Sequence, residues 1–249
     1  MQTKDTYTSE KEKLSRLKGQ KKLQYLWDYY KLPFVIACIL LYILGYVLYG
    51  HFTQKNNVLY AAFINVAPSD ALTDRLSDGF LLSRGMDLNK NAFYLYTGLY
   101  LTGDEANPYH EYTYASRIKL VAAIDSETLD VALMDEEAFD AFSQNGYLCN
   151  IEEFLSEGDC ELYQDCRELL RDNIVILEDN SEEAALDHSL SYTAETAEYP
   201  MALDISRTPL LKDAGFTEPV YLGVIKNTPR KEEAAEYIRY LCFENPETD

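Results

Sequence analysis

The chain has 249 residues, 47% of them hydrophobic, and 22 Lys plus Arg against 42 Asp plus Glu leave a formal net charge of −20. That apolar content excludes a disordered tail. The acid excess argues for no nucleic acid partner, since affinity for phosphate backbones comes mostly from Lys and Arg displacing counterions, and the length allows one large domain or two small ones.

The charge is unevenly placed. Residues 1–31 hold eight cations (Lys4, Lys11, Lys13, Arg16, Lys18, Lys21, Lys22, Lys31) and four acids, a net +4, whereas the remainder holds 14 cations and 38 acids, a net −24. Between them runs LPFVIACILLYILGYVLYG, Leu32 to Gly50, nineteen residues without a charge. At ~1.5 Å per residue this is about 28 Å, close to the hydrocarbon thickness of a bilayer. A buried soluble helix would normally keep a polar stripe, and here only the hydroxyls of Tyr42, Tyr46 and Tyr49 break the apolar surface. Trp27, Tyr29 and Tyr30 before the run, and Tyr46, Tyr49 and Phe52 at its end, put amphipathic rings at both headgroup levels. Pro33 falls in the expected first turn, where its missing N–H costs little.

The sequence thus predicts one N-terminal transmembrane helix in the lipid bilayer, Leu32 to Phe52, anchoring a single-pass protein in the cell membrane. Cations on its N-terminal side place residues 1–31 in the cytoplasm; a linker, 53–57, then leads to an extracellular domain, 58–249. A lipoprotein reading of Val35-Ile36-Ala37-Cys38 fails because about six apolar residues precede the cysteine, where a signal peptide needs roughly seven to fifteen. No small-x-small pair closes the run, so an uncleaved anchor is expected. Upstream, Leu14, Leu17, Leu23, Leu26 and Tyr30 recur at near-helical spacing among lysines. This describes either a basic segment lying against anionic headgroups or an ordinary cytoplasmic tail. Ser15 and Lys18 form an S-x-x-K match with no pocket around it, a coincidence of composition.

Beyond the linker, strands alternate with helices. Val58 to Val66 is a continuous apolar run of strand length, and Pro68-Ser69-Asp70 opens a helix. Asn91 to Leu101 alternates, with Phe93, Leu95, Leu99 and Leu101 on one face and Tyr94, Tyr96 and Tyr100 on the other. Tyr112 to Ile124 reads as a helix, Leu129 to Asp135 as a short strand, and the next helix stops at Asn145-Gly146. IEEFLSEG and CELYQDCRELLRD suggest further helix, Asn173 to Asp179 a strand, and EDNSEEAALDHS an acidic loop or short helix. YPMALDIS and Val220 to Thr228 are the last strands. Thr228 as cap and Pro229 at the first helical position start a final helix with a packing stripe of Ala234, Ile238 and Leu241. This alternation predicts an α/β fold, a largely parallel sheet flanked by helices. In such sheets ligands bind beyond the carboxyl ends of the strands, which nominates the loops starting at Asn65, Asp135, Asp204 and Lys226.

LDVALMDEEAFDAFSQNGYLCNIEEFL, EYPMALDISRTPLLKDAGFTEP and GVIKNTPRKEEAAEYIRYL resemble, in that order, three stretches of extracellular solute-binding proteins of the sugar-binding type: a strand–helix–Gly-Tyr-Leu–acidic-helix segment, a hinge-crossing strand with its helix end, and a late strand with its Ala-rich helix. KLQYLWDYYKLPF followed by the anchor resembles uncharacterised membrane-tethered proteins of anaerobic Gram-positive bacteria that carry such a domain. The resemblance covers roughly half the chain. It implies a periplasmic-binding-protein-like but reduced fold, since nothing of a second lobe remains between Pro219 and Val220.

Chemistry-bearing motifs are few. His51, His110 and His188 form no HExxH and pair with no CxxC, and no G-x-S-x-G, P-loop or G-x-G-x-x-G occurs. The expectation is no enzyme and no cofactor. Glu178, Asp179, Glu182 and Glu183 offer a loose Ca²⁺ cluster or, more simply, a solvated face. Asp135 and Glu136 suit acid/base chemistry if buried in a cleft, and suit helix capping equally. Tyrosines number 21, and Tyr94, Tyr96 and Tyr100, with Tyr109, Tyr112 and Tyr114 nearby, present area and hydroxyls for stacking on a sugar or peptide, unless helices cover them. Of five cysteines, Cys38 lies in the anchor. Cys149 and Cys160 are better placed to pair than Cys160 and Cys166, and Cys149 and Cys242 occupy apolar positions that suit buried thiols. The candidate ligand-binding residues are Asn65, Tyr94, Tyr96, Asp135, Asp204 and Arg207, and the expected partner is a small polar ligand. The alternative is a degenerate binding fold serving as an interaction or assembly partner of another envelope protein.

Overall fold

The computed structural model describes residues 20–53, 55–212 and 214–243. The arm up to residue 19, with Ser15 and Lys18, and the side chains of His51 and Cys160 lie outside the described residues. The chain divides into two compact units, Met1–Gln54 and Lys55–Asp249.

In the first unit, α1 (Gln20–Thr53) is one helix that runs through the apolar segment, and Lys31–Gly50 within it is long and apolar enough to cross a membrane, with mean hydropathy 2.3. Its side chains from Lys31 to Gly50 are all exposed. The helix begins well before Leu32, so Pro33 sits in its interior rather than in the expected first turn. There it removes one backbone hydrogen bond of the ladder.

The second unit holds β1 (Asn56–Ile64), α2 (Asp70–Leu76), α3 (Asp78–Ser83), β2 (Asn91–Leu99), α4 (His110–Asp125), β3 (Val131–Met134), α5 (Glu136–Gln144), α6 (Ile151–Gly158), α7 (Cys160–Cys166), a 3₁₀ turn (Arg167–Leu169), β4 (Leu170–Asp179), α8 (Ser181–Leu186), β5 (Ala194–Asp204), β6 (Tyr221–Val224) and α9 (Lys231–Phe243). The strands form one six-stranded sheet in the order β2-β1-β3-β6-β5-β4. β1 pairs parallel with β2 and β3, whereas β6 runs antiparallel to both β3 and β5, and β4 antiparallel to β5.

The sheet is therefore mixed, not largely parallel as expected. Parallel neighbours need a crossover that carries the chain back to the starting end. Helices α2 to α4 supply such crossovers, but α8 is only six residues at the tip of the β4–β5 hairpin, and the described residues from 205 to 220 between β5 and β6 contain no helix. Each of these strands consequently starts at the end where the previous one stopped.

One face of the sheet packs Leu72, Leu76 and Phe80, Ile151 and Leu155, Leu162 and Cys166, and Ala234, Ile238 and Leu241 into one core. The other packs Leu120 and Ile124, Phe139 and Phe142, and Leu148 against Ala62, Ile64 and Met134. Local caps follow the sequence signals: the Ser69 hydroxyl accepts from Leu72 N, the Asp135 carboxylate from Ala138 N, and Gly146 stops α5 with φ +67°. Strand β2 departs from its expected alternation. Gly98 takes φ +67° beside a register shift between Ala62 and Ile64, so Phe93 and Leu95 face the first core while Leu99 and Leu101 face the second. A bulge of one residue exchanges the faces of everything after it.

Candidate functional site

At one end of the sheet lie the carboxyl ends of β1, β3 and β5, with Asn65, Asp135 and Asp204. The structure brings the first two together. Asn65, in a left-handed conformation with φ +59°, donates through Nδ2 to Asp135 Oδ1 at 3.0 Å and to Leu101 O at 2.7 Å, while its Oδ1 accepts from Leu101 N at 2.8 Å. Burial raises the Asp135 carboxyl above the usual carboxylate range; the Ala138 amide and Asn65 pull the other way, and Glu137 and Glu218 nearby add to the rise. Asp204 receives Arg171 Nη2 at 3.0 Å and both the amide and hydroxyl of Ser206. Partial burial opposes its ionisation, yet Ser206 and Arg171 together hold it below the usual range. The guanidinium at Asp204 is thus that of Arg171; Arg207, three residues on in the chain, is exposed. These polar groups spend their hydrogen bonds on one another and on the backbone.

Tyr94 and Tyr96 lie on β2 in a row with Tyr60, with centroids 5.6 Å apart for Tyr60–Tyr94 and 4.9 Å for Tyr94–Tyr96. Arg230 covers Tyr60 at 4.5 Å and Lys119 covers Tyr96 at 5.4 Å, and the Tyr96 hydroxyl donates to Thr128. Tyr96 is half-buried against the second core, whereas Tyr94 stays exposed. Tyr100, beyond the Gly98 bulge, leaves this row and stacks on Tyr109 at 4.2 Å, with Tyr112 beside them.

A cavity of about 460 Å³ lies at the opposite end of the sheet. It arises from a divergence of strands. β5 pairs with β6 only at Leu203↔Leu222 and Asp204↔Tyr221, then peels away toward the hairpin tip. Beyond that point the segment Tyr147–Cys149 takes the vacated side of β6: Cys149 N donates to Val224 O, Lys226 N donates to Tyr147 O, and Leu148 bridges Ile225. The wedge between the departing hairpin and this segment is the cavity. Val175, Leu177, Tyr199 and Met201 form one wall, Leu148, Cys149 and Phe154 the other, and Ile225 lies between, while Glu153, Glu157, Lys226 and Lys231 bring charges of both signs to the lining. Of the four strand-end loops nominated from sequence, only the one starting at Lys226 meets this cavity, because β6 runs antiparallel and carries its carboxyl end to the other side.

Thr228, also in the lining, is held by a group with no assigned role in the sequence reading. Its hydroxyl donates to Asp130, a fully buried carboxylate that also accepts from Tyr60 N at 2.8 Å and Arg230 Nε at 2.8 Å. The buried charge is compensated on every side. The only signal for it in the sequence was an acid ahead of an apolar strand and an Arg opening the last helix.

The comparisons give no relative. No family model, curated protein or solved structure matches this chain.

Burial pushes the Cys149 thiol up to about 12, so it is neutral at physiological pH and a poor nucleophile. Among the described residues no group of three His, Cys, Asp or Glu side chains is placed to hold a metal ion. The acidic cluster includes Asp179, held below the usual range by the hydroxyl and amide of Ser181, and its members Glu178, Asp179, Glu182 and Glu183 are exposed. What the cavity offers is shape, an apolar surface and charged partners for the ends of a bound molecule.

Proposed function

We propose that this chain is a single-pass membrane protein, N-terminus in the cytoplasm and acidic body outside the cell, whose body is a ligand-recognition module related to a single reduced lobe of a solute-binding protein. The observation that carries this reading is the cavity between β5 and Tyr147–Cys149. Its volume suits a small ligand. An apolar surface with Glu153, Glu157, Lys226 and Lys231 around it favours a molecule with an apolar body and polar ends over a fully polar one. Two further features support the reading. The apolar stretch of α1 separates a cationic arm from an anionic body, the arrangement that orients a single span. And β6, the last strand among the described residues, lies inside the sheet between β3 and β5, as in a lobe that the chain leaves and re-enters.

The test is thermal unfolding of the full chain in lipid nanodiscs against apolar amino acids and dipeptides of apolar residues, with mono- and disaccharides as the fully polar set. A ligand that raises Tm for the natural chain but not for Val175→Trp, which fills the wedge from the hairpin side, supports the reading. No response across the set, or the same response in the variant, overturns it. Protease shaving of intact cells tests the orientation separately: the body is expected to be cleaved while the arm is protected.

The alternative, an assembly partner of another envelope protein, is favoured by the hairpin itself. Edge strand β4 exposes Ile174 and Leu177, and the connection at its tip exposes Leu186, Leu190 and Tyr192. A photocrosslinking residue at Leu186 joins the chain to a second envelope protein in intact cells under this reading, and reacts only with solvent under the first.

A further inference from the structure

Two buried thiols outside the candidate site share one core. Cys166 is the last residue of α7 and Cys242 lies in the last turn of α9; both are free thiols buried in the same core, near enough that Cys166, together with burial, raises the Cys242 thiol above its ordinary range. The proximity is not an isolated encounter of two side chains. At the other end of α7, its N-cap Asp159 forms an ion pair with Arg239, one turn before Cys242 on α9. The two helices are therefore held at both ends of α7, by charges at the surface and by sulfurs in the core. Cys149, the third thiol described in this unit, is free and lies on the cavity wall.

We propose that Cys166 and Cys242 are a disulfide-forming pair that staples the last helix, α9, to α7. Bond formation joins the two sulfurs with loss of two protons and two electrons. The electrons pass by thiol–disulfide exchange to a disulfide-class oxidant, such as glutathione disulfide or an oxidised dithiol oxidoreductase, which leaves as two thiols. Burial shields both sulfurs in the folded body, so exchange belongs to folding or to fraying of α9, and the finished bond is then protected from reductants. The bond closes a loop of roughly 75 residues, long enough for a cross-link to restrict the unfolded chain strongly. That loop contains β4, β5 and β6, and with them the hairpin wall of the cavity. Occupancy of the bond in cells rests on the proposed location outside the cytoplasm; the pairing does not.

The experiment uses the full chain in nanodiscs. The reduced protein is equilibrated with mixtures of glutathione and glutathione disulfide, once in its folded form and once refolded from urea in the same mixtures. It is then denatured in iodoacetamide and mapped by mass spectrometry. The expected result is a linked Cys166–Cys242 peptide pair, lighter by two hydrogens than the two thiol peptides together, appearing at glutathione ratios that leave Cys149 alkylated. It should survive in Cys149→Ser and vanish in Cys242→Ser, where Cys166 becomes alkylated. Alkylation of both Cys166 and Cys242 at every ratio in both arms overturns the proposal, as does preferential linkage of either cysteine to Cys149 or Cys160. Failure here leaves the ligand and orientation readings intact, because neither the thermal screen nor protease shaving reports on these sulfurs.

Discussion

The two ends of the sheet differ in a way that runs against intuition. The end with Asn65, Asp135, Asp204 and Arg171 is rich in groups that bind ligands in many proteins, yet these groups cap α5, tie Leu101 to β1 and close the Ser206 turn. The other end is built mainly from Leu148, Val175, Met201 and Ile225 and opens the wider space, about 460 Å³ against about 310 Å³ beside Val66, Pro68 and Gly98 at the first. Polar side chains near a sheet edge are first claimed by unpaired backbone groups, so polarity alone does not mark a vacancy. The wider vacancy lies where β5 parts from β6.

The comparison is broken most severely at Asp130. Asp130→Ala leaves Tyr60 N, Thr228 and the Arg230 guanidinium without their shared acceptor, and a loss of about 3–5 kcal/mol is expected, read from the urea midpoint of the body. Since Thr228 belongs to the cavity lining, any ligand response should weaken as well. Next comes the sulfur pair: against the oxidised natural chain Cys242→Ser is expected to cost about 3 kcal/mol, and much less against a natural chain reduced in urea and refolded with reductant. If the two conditions give the same loss, the cost is one of packing and not of a cross-link.

The polar end sharpens the contrast through pH. The Asp204 carboxyl is held below its ordinary range, so its contribution is fully present above the unfolded value and is lost as pH falls through the lower folded value. Asp204→Asn should therefore lower stability at neutral pH by under about 1 kcal/mol, the pair with Arg171 being partly exposed, and the deficit should shrink in acid. Asp135 has the opposite sign. Its raised carboxyl stabilises the fold most below the unfolded value and loses that contribution as pH rises through the folded one. Asp135→Asn keeps an oxygen for Ala138 N, so it should be nearly neutral in acid and gain relative to the natural chain as pH rises. Parallel titration of urea midpoints for the two variants, with slopes of opposite sign relative to the natural chain, checks both; no slope in either would mean that folding leaves these carboxyls unshifted.

Much of the fold was legible locally. The strands at Val58, Asn91, Leu129 and Asn173, the helix start at Ser69, the stop at Asn145-Gly146 and the stripe Ala234, Ile238, Leu241 all depend on neighbours in the chain and appear where periodicity and caps place them. The Gly98 bulge was not legible, because the alternation of β2 continues unbroken on paper while a single positive φ reverses its faces. For the site, the placement of Asn65 and Asp135 at carboxyl ends of strands was legible, whereas their contact, Arg171 beside Asp204, Asp130 against Thr228 and Cys166 near Cys242 join residues far apart in sequence.

By itself, then, the sequence determined the apolar helix, the charge step across it, the alternation of helices with strands and the caps that delimit them, because each is set by side chains within a few residues of one another. The tertiary structure alone decided the direction of β4 and β6, the peeling of β5 from β6 and the wedge that results. Strand direction depends on whether a connection crosses the sheet, and a cavity depends on which distant segment reaches the gap first. Neither quantity is written in any local stretch of the chain.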